Sequence, residues 1–544
     1  MVCVRIVGGG LIEQQLQKAA QHHANNETAA AVAIYRNILN QTPTNPDALL
    51  MMGVIAQQAG NPHLALQFVE SSLASKPDFA QAWFNRSIIL RALKRDEDAL
   101  MSARMAIDAA PHMAEAWDIV AQILKDSGTY AEALTAYKHA LALQPKNSHF
   151  YGNYATLLLA MHDFQGAYQA VQEALAIDAH YSPIVLGNIL KAMGYPEQAA
   201  DYFARARVHP TYAEAIISEA LARLQIGDTK TGWNLWEQRA DLAPELGSIP
   251  FWHGEEIDRL FLYEDQGLGD AIQFVRYIPS LKKKASHITL CVHPSLQNVF
   301  AQNFPYIDVI NSHDAVPPVT ARCRLSSLPF FFKTDLATIP PTPYLKIENN
   351  SGLANLNELE TTPSPRVGIV WAGNKKFRND NARSISFSAL DSLFTLGRAH
   401  FVSLQKDCAE DSIALAASSI FDAAPLINNF TDTAALIAKL DLIITVDTAV
   451  AHLAGALQKP VFILLPFDSD WRWLLGREDS PWYSSARLFR QKSPGDWTSV
   501  IQAVRKEVEK FLAGNRAALL PSQWNSEPLR KNPNALPLPA SRNS

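Results

Sequence analysis

The stretch RLFLYEDQGLGDAIQFVRYIPSLKKK, residues 259–284, has the pattern of a strand, a glycine-bracketed turn and a helix. Residues 260–263 form the apolar strand run, and apolar residues then recur at helical spacing. Gly267 and Gly269 permit a tight turn and a close approach of the backbone to a ligand. Asp270 stands where the helix begins, so it can either cap the helix or act as a base beside a phosphorylated ligand. This loop taken alone favours the cap.

A second stretch of the same kind, LDLIITVDTAVAHLAGALQKPVFILL, covers residues 440–465. An apolar strand ends before Asp447, and a helix follows Thr448. His452 lies four residues after Thr448, so the two side chains share one helix face. A hydroxyl, free amides and an imidazole together suit a diphosphate. Separately, Thr448 can be a simple cap and His452 a packed core histidine, but their joint occurrence at a strand end favours binding.

A third cluster lies in GIVWAGNKKFRNDNARSISF, residues 368–387. It carries four basic side chains, namely Lys375, Lys376, Arg378 and Arg383. The cluster follows a predicted strand, so we expect it, with Asn374, at the same sheet edge as the other two loops, although a solvated loop would carry similar charges. Gln405 and Lys406, at the end of the next strand, are weaker candidates for polar contacts.

The first half of the chain repeats with a period of 34 residues. Prolines recur at this spacing at Pro43, Pro77, Pro111 and Pro145. Alanines recur at the same spacing at Ala31, Ala65, Ala99, Ala133 and Ala167. The period is that of tetratricopeptide helix–turn–helix units, in which small residues let helices approach and proline ends the second helix. We expect about seven units, the last ones atypical, forming a concave groove for peptides or partner proteins.

After residue 250 strand-like and helical runs alternate, which predicts parallel sheets covered by helices on both faces. The predicted fold is therefore an α-solenoid followed by two doubly wound α/β domains that bind ligands at the carboxyl ends of their strands. The predicted parts are a repeat array at 11–245, a first α/β domain at 250–348, a second at 364–513 and a disordered tail at 514–544, with a linker at about 349–365 between the α/β domains.

The composition is that of an ordinary globular protein: of 544 residues, 48% are hydrophobic and 19% charged, and the net charge is −5. So small a charge does not indicate a nucleic-acid partner. The four cysteines have no C-x-x-C spacing, which disfavours a zinc site or disulfide framework and favours a reducing compartment. Because neither a long apolar run nor an apolar N-terminal core occurs, the sequence predicts a cytoplasmic protein without a membrane span.

Together, these loops resemble those of the bacterial heptosyltransferases, glycosyltransferases of the GT-B architecture. The resemblance covers roughly residues 255–510, and the order of repeats before such a module is similar to that of the protein O-GlcNAc transferases. It implies that Asp270 is the base on the acceptor hydroxyl and that Asp447, Thr448 and His452 hold the nucleotide diphosphate. A basic residue, Arg383 or Lys375, would contact the donor phosphate. Heptosyltransferases lack a repeat array, and the His-rich donor loop of the O-GlcNAc transferases is not found here, so the donor sugar stays open.

The resulting hypothesis is an inverting, metal-independent glycosyl transfer from a nucleotide sugar, without a further cofactor, to a protein or glycan acceptor recruited by the repeats. Asp270 would be catalytic. The predicted donor-binding residues are Gly267, Gly269, Asn374, Lys375, Arg383, Gln405, Lys406, Asp447, Thr448 and His452. Residues 468–470 have Asp-x-Asp spacing, but we interpret them as a loop or cap, with a metal role as a minority option. The alternative is a non-catalytic adaptor whose α/β half only binds a nucleotide or is structural.

Overall fold

The computed structural model describes residues 10–207, 213–241, 243–347, 365–375, 380–406, 411–522 and 527–538. The chain divides into two compact units between Val185 and Leu186, and each is described separately. In the described residues no helix is both long and apolar enough to cross a membrane.

The first unit consists of helical hairpins at the predicted 34-residue period. Its helices are α1 Leu11–Ala24, α2 Thr28–Gln41, α3 Pro46–Gln58, α4 Pro62–Ser75, α5 Ala80–Ala92, α6 Asp96–Ala109, α7 Ala114–Asp126, α8 Tyr130–Leu143, α9 Ser148–Ala160 and α10 Phe164–Ile177. The five periodic alanines are completely buried. The indoles of Trp83 and Trp117, which are 34 residues apart, donate to the carbonyl oxygens of Pro77 and Pro111 at 2.8 and 3.0 Å. The 34-residue period of the sequence is thus also found in the hydrogen bonds and the buried alanines of the structure.

The boundary between the units falls within α11 Pro183–Ala192, and the second unit continues with three more helices, α12 Pro196–Ala206, α13 Ala213–Gln225 and α14 Thr229–Trp236. Its strands are β1 Ile257–Tyr263, β2 Ala285–Val292, β3 Asp308–Asn311, β4 Ala321–Arg324, β5 Arg366–Val370, β6 His400–Ser403, β7 Phe421–Asp422, β8 Leu442–Val446, β9 Val461–Leu465 and β10 Ala486–Arg490. Its further helices are α15 Leu268–Phe274, α16 Ile278–Leu281, α17 Pro294–Asn303, α18 Leu328–Phe331, α19 Asp380–Arg383, α20 Asp391–Phe394, α21 Ser412–Ala416, α22 Phe430–Lys439, α23 Ala449–Ala456 and α24 Trp497–Leu512.

The strands form two parallel sheets, with the orders β3-β2-β1-β4 and β10-β9-β8-β5-β6-β7. The second is the strand order of a dinucleotide-binding doubly wound sheet, in which the direction of winding reverses between β5 and β8. In the first sheet the reversal lies between β1 and β4. Loops that leave the sheets at these points diverge and open a crevice at the carboxyl ends of the strands. The α/β prediction is confirmed.

The core of the second unit explains why the two candidate loops face one crevice. Helix α15, which starts at the first loop, packs directly on α23, which starts at the second. Both belong to one continuous apolar cluster with residues of both sheets, such as Leu262 and Ile443. The opposite face of the second sheet has a separate core beneath α24. Burial of the two loop helices against each other therefore brings their first turns together.

The tail departs from the prediction of disorder. In the described segment 527–538, the backbone amides of Asn532 and Leu536 donate hydrogen bonds of 3.0 and 2.9 Å to the carbonyl oxygens of Gly194 and Met193. Gly194 has φ +93°, and a Cβ there would lie 2.9 Å from the Cβ of Asn532. The missing side chain leaves room for the tail against the turn after α11, so the prediction is wrong for this segment. The predicted linker at 349–365 lies almost wholly outside the described residues.

Candidate functional site

A cleft of about 1010 Å³ lies at the carboxyl ends of both sheets of the second unit. It is lined by all eleven residues predicted to be catalytic or donor-binding, namely Gly267, Gly269, Asp270, Asn374, Lys375, Arg383, Gln405, Lys406, Asp447, Thr448 and His452. The loops after β1, β5 and β8 contribute most of them. These are the loops at the points where the winding of the sheets reverses, which are the usual ligand positions of such folds.

The first loop places its carboxylate at the cleft. Asp270 is the third residue of α15, and its carboxylate accepts a hydrogen bond from the backbone amide of Gly267, the residue that precedes the helix, at 3.1 Å. Its other oxygen forms an ion pair with the guanidinium of Arg472. The side chain is 23% exposed, so it remains accessible from the cleft. The N-cap position belongs to Gly267, so Asp270 is not the cap; it supports the first turn from within the helix while its carboxylate stays accessible.

The second loop presents a hydroxyl that is not used as a cap. Thr448 precedes α23, but its side chain makes no hydrogen bond to the amides of the first turn in the described structure. Its hydroxyl instead lies 3.1 Å from that of Thr445. The backbone amides of the first turn are thus left to interact with a ligand. An anion is favoured at this position because the positive end of the helix dipole lies there. Burial raises the pKa of the adjacent Asp447, while Arg383 opposes this shift.

His452 lies beneath the two loops and is only 5% exposed. Its Nδ1 is 2.8 Å from the hydroxyl of Tyr483, and its ring stacks on Trp473. Burial, followed by the charges of Arg276 and Arg383, lowers the pKa of His452 to about 3. The imidazole is therefore neutral at neutral pH and can contact a phosphate only as a neutral hydrogen-bond donor.

Gly269 explains how closely the two loops approach. A Cβ at this position would lie 2.7 Å from Cδ2 and 3.2 Å from Nε2 of His452. A Cβ at Gly267 would contact only the side chain of Asp270, at an ordinary van der Waals distance of 3.5 Å. The second glycine is therefore required by the contact between the loops, a reason that the sequence does not show.

The basic cluster is held in place by an internal acid. Arg383 Nε donates to Asp380 at 3.0 Å, and its Nη1 donates to the backbone oxygen of Asp447 at 2.9 Å. A Cβ at Gly373 would meet both Asp380 and Arg383 within 2.5 Å, so this glycine lets the loop after β5 fold over the pair. Asn374 and the positive Lys375 line the cleft beside it. Lys376 and Arg378 lie outside the described residues.

The side chain of Gln405 is held by backbone groups of the cleft wall. Its side-chain oxygen accepts from the amides of Trp371 and Ala372 at 3.0 and 2.9 Å. Its amide nitrogen donates to the backbone oxygens of Ala372 and Lys406 at 3.1 and 2.9 Å. Both acceptor positions and both protons are thereby used. Gln405 lines the cleft but shapes the loop after β5, whereas the exposed Lys406 reaches the carbonyl oxygen of Ile427 at 2.6 Å.

The sequence reasoning missed Arg472 and the part played by Asp470. Both belong to the short 3₁₀ segment after β9, Arg472 within Trp471–Trp473 and Asp470 as its cap, and both line the cleft. Desolvation lowers the pKa of Arg472 to about 10, which leaves it cationic at neutral pH. Desolvation and the neighbouring Asp447 raise the pKa of Asp470. The available signal was the position of residues 468–473 shortly after the apolar strand β9, at the carboxyl end of the sheet.

The Asp-x-Asp spacing at residues 468–470 does not gather two carboxylates. Asp468 pairs with Lys191 at 2.8 Å, whereas Asp470 pairs with Arg472 at 2.7 Å. Within the described ranges no group of three or more His, Cys, Asp or Glu side chains is placed to hold a metal ion. The acids of this segment are therefore used in ion pairs, one on the surface and one in the cleft.

Comparison with known proteins separates the chain into the same two parts. Residues 22–83 and 124–187 match the tetratricopeptide repeat family, and residues 405–466 match glycosyltransferase family 9 (heptosyltransferase). The second match contains β8, the Asp447–Thr448 turn and His452. The chain thus has tetratricopeptide repeats followed by a segment of the heptosyltransferase type, as the sequence predicted.

One relative is Protein FlbA of Caulobacter vibrioides, which is 25% identical over 542 residues, and the match covers 91% of this chain and 84% of that protein. The solved structures that match include a tetratricopeptide repeat protein of Parabacteroides merdae, with a TM-score of 0.37, 14% identity and coverage of 44% of this chain and 96% of the other. Another is pilF of Pseudomonas aeruginosa, with a TM-score of 0.34, 20% identity and coverage of 38% and 94%.

Proposed function

We propose that the second unit transfers a sugar from a nucleotide-sugar donor to an acceptor hydroxyl, with inversion at the anomeric carbon and without a metal ion. The observation that carries this proposal is the convergence on one cleft of an accessible carboxylate, Asp270, with the unblocked helix start at Thr448. A direct displacement needs a base on one side of the anomeric carbon and stabilisation of the leaving diphosphate on the other.

In the proposed step an oxygen of Asp270 takes the proton of the acceptor hydroxyl. The acceptor oxygen forms a bond to the anomeric carbon as the bond from that carbon to the donor phosphate breaks, and the electron pair leaves with the nucleoside diphosphate. The side-chain cations that line the cleft, Lys375, Arg383, Lys406 and Arg472, together with the first amides of α23, would offset the charge on this leaving group.

The repeats would recruit the acceptor. Stacked hairpins present an extended concave surface, which suits a peptide or a protein partner. We therefore propose a protein, or a glycan carried by one, as the acceptor of the transferred sugar. The neutral state of His452 makes it a hydrogen-bond donor and packing partner in this scheme, not a cation.

The test starts with thermal shift of the full chain against UDP, GDP, ADP and CDP and the corresponding sugar nucleotides, because a ligand that binds only the folded state raises its melting point. Release of sugar from the stabilising donor is then compared between the wild type, Asp270→Asn and the matched control Asp258→Asn. Asp258 is an exposed acid at the opposite end of β1. Turnover by the wild type and the control but not by Asp270→Asn supports the proposal. Binding without turnover in the wild type would instead support the adaptor, and equal turnover in all three would remove Asp270 as the base.

A further inference from the structure

Arg472 makes its contacts with two different parts of the second unit. Its Nη1 donates to Asp470 at 2.7 Å, within its own segment. Its Nε donates to the side-chain oxygen of Gln273 at 2.6 Å, and its Nη2 contacts Asp270. Both of these last residues belong to α15, which is the helix of the first loop. The guanidinium therefore crosses the cleft from the segment after β9 to the candidate base.

The guanidinium is also held at the cleft surface. It stacks on the indole of Trp471 at 4.4 Å, and the side chain is 12% exposed. Together with Asp270 and Asp470 it lines the cleft. A planar guanidinium on an aromatic face, with its nitrogens directed at oxygens, is the arrangement that binds carboxylate or phosphate through two parallel hydrogen bonds.

The proposed transfer makes opposite demands on this ion pair. A base must present its carboxylate to the acceptor hydroxyl, and a neighbouring cation makes any carboxylate a weaker base because it stabilises the charged form. The leaving diphosphate, in contrast, needs a cation. Within the described structure the cation that contacts the candidate base is Arg472.

We propose, building on the glycosyl transfer above, that Arg472 is a latch across the cleft. Without donor it is paired with Asp270. The diphosphate of a bound donor competes for the guanidinium, which then turns to the phosphate oxygens and leaves the carboxylate free for the acceptor hydroxyl. The base is thus released when the leaving group is in place, and Arg472 is a catalytic residue because it contacts that group.

The latch is tested with inorganic pyrophosphate, which carries the diphosphate without base or sugar, by calorimetry on the full chain in metal-free buffer. Four proteins form a double-mutant cycle: the wild type, Arg472→Gln, Asp270→Asn and the double variant. We expect Arg472→Gln to weaken pyrophosphate binding by about tenfold and Asp270→Asn to tighten it by about tenfold, because charge-assisted hydrogen bonds are worth at least this much. In the Arg472→Gln background, Asp270→Asn should change the affinity by less than about threefold.

Three results would contradict the latch. If Asp270→Asn tightens binding equally in both backgrounds, the acid only repels the ligand and there is no latch. If Arg472→Gln leaves the affinity unchanged, the latch is wrong although the diphosphate site stands. If the wild-type chain does not bind pyrophosphate, the diphosphate site of the proposed function fails together with the latch. If the melting point shows that Arg472→Gln is unfolded, Arg472→Lys replaces it. Lysine keeps the positive charge but cannot donate two parallel hydrogen bonds, so we expect a smaller loss of pyrophosphate affinity than for Arg472→Gln.

Discussion

The two cleft loops are alike in sequence pattern but differ in where their side chains lie. Each follows a parallel strand, turns beside a small residue or a hydroxyl, and starts a helix. In the first, Asp270 stays at the cleft surface and pairs with a cation on the opposite wall. In the second, His452 is 5% exposed and hydrogen-bonds inward to Tyr483. In the proposed function the first loop would therefore offer a reactive side chain, whereas the second would offer mainly its backbone and Thr448.

The helices that follow the two loops nevertheless support each other by direct packing. Helices α15 and α23 pack on each other, and Gly269 rests on the ring of His452. The buried histidine thus supports the loop that carries the candidate base. We propose that the two loops divide into a reacting part, Asp270, and a supporting part, His452.

The largest effect is expected from the reacting side chain. Asp270→Asn should lower turnover of the donor by at least about a hundredfold, because loss of a general base costs 10²- to 10⁴-fold. Initial rates of sugar release on the wild type and the variant measure it. Binding of the nucleoside diphosphate should be kept or improved. A variant that loses binding as well would show that Asp270 supports the fold, and the contrast between the loops would be lost.

The contact between the loops is tested by a pair of glycine variants. Gly269→Ala places a methyl group 2.7 Å from the ring of His452 and should destabilise the second unit by about 1–3 kcal/mol, as overpacking does. Gly267→Ala is the matched control, since its added Cβ meets only an ordinary 3.5 Å contact. Urea unfolding of both variants measures the difference. Equal stability of the two would mean that the loops do not support each other.

The supporting part is also tested by pH. The pKa of His452 is lowered to about 3 in the folded protein, below its unfolded value near 6.5, so the unfolded chain binds more protons between these values. Stability from the neutral histidine is present above the unfolded pKa and is lost as the pH falls toward the folded one. At pH 5 the loss is about 2 kcal/mol relative to pH 7. In His452→Gln, which does not titrate, the fall in unfolding free energy between pH 7 and 5 should be smaller by about this amount; an unchanged fall would contradict a buried neutral imidazole.

The smallest effect concerns the hydroxyl of the second loop. Thr448→Val removes the hydroxyl with little change in shape, so pyrophosphate should bind about five- to tenfold more weakly, the worth of one hydrogen bond. Thr445→Val is the control, because it removes the neighbouring hydroxyl, 3.1 Å away, without touching the cleft lining. Calorimetry on both variants distinguishes a ligand contact from an internal one. Equal losses would assign the Thr448 hydroxyl to the fold alone.

The sequence predicts most of the architecture because the spacing of apolar and small residues shows which side chains are buried in each helix and strand. The 34-residue repeat, the parallel strands and the loops at their carboxyl ends all follow from spacing, and strand ends in doubly wound sheets meet at one crevice. The partners of the predicted residues do not follow from spacing. Gln405 was expected to contact the donor, yet its amide is fully used on backbone groups.

Arg472 and the tail were missed for the same physical reason. The conformation of the segment after β9 depends on groups far away in the chain, such as Gln491, whose side chain accepts from the amide of Phe467 at 3.1 Å. The tail depends on free carbonyl oxygens at Met193 and Gly194. Composition predicts whether a segment can form its own core, but not whether another part of the fold offers it hydrogen bonds.

A single displacement at the anomeric carbon, with Asp270 as the base, inverts the configuration of that carbon. Proton NMR can identify the anomer that the wild-type chain first releases from a stabilising α-linked donor, before the anomers equilibrate. We expect the β anomer to appear first. Initial release of the α anomer would contradict it, since that product requires two displacements or attack from the face of the leaving group.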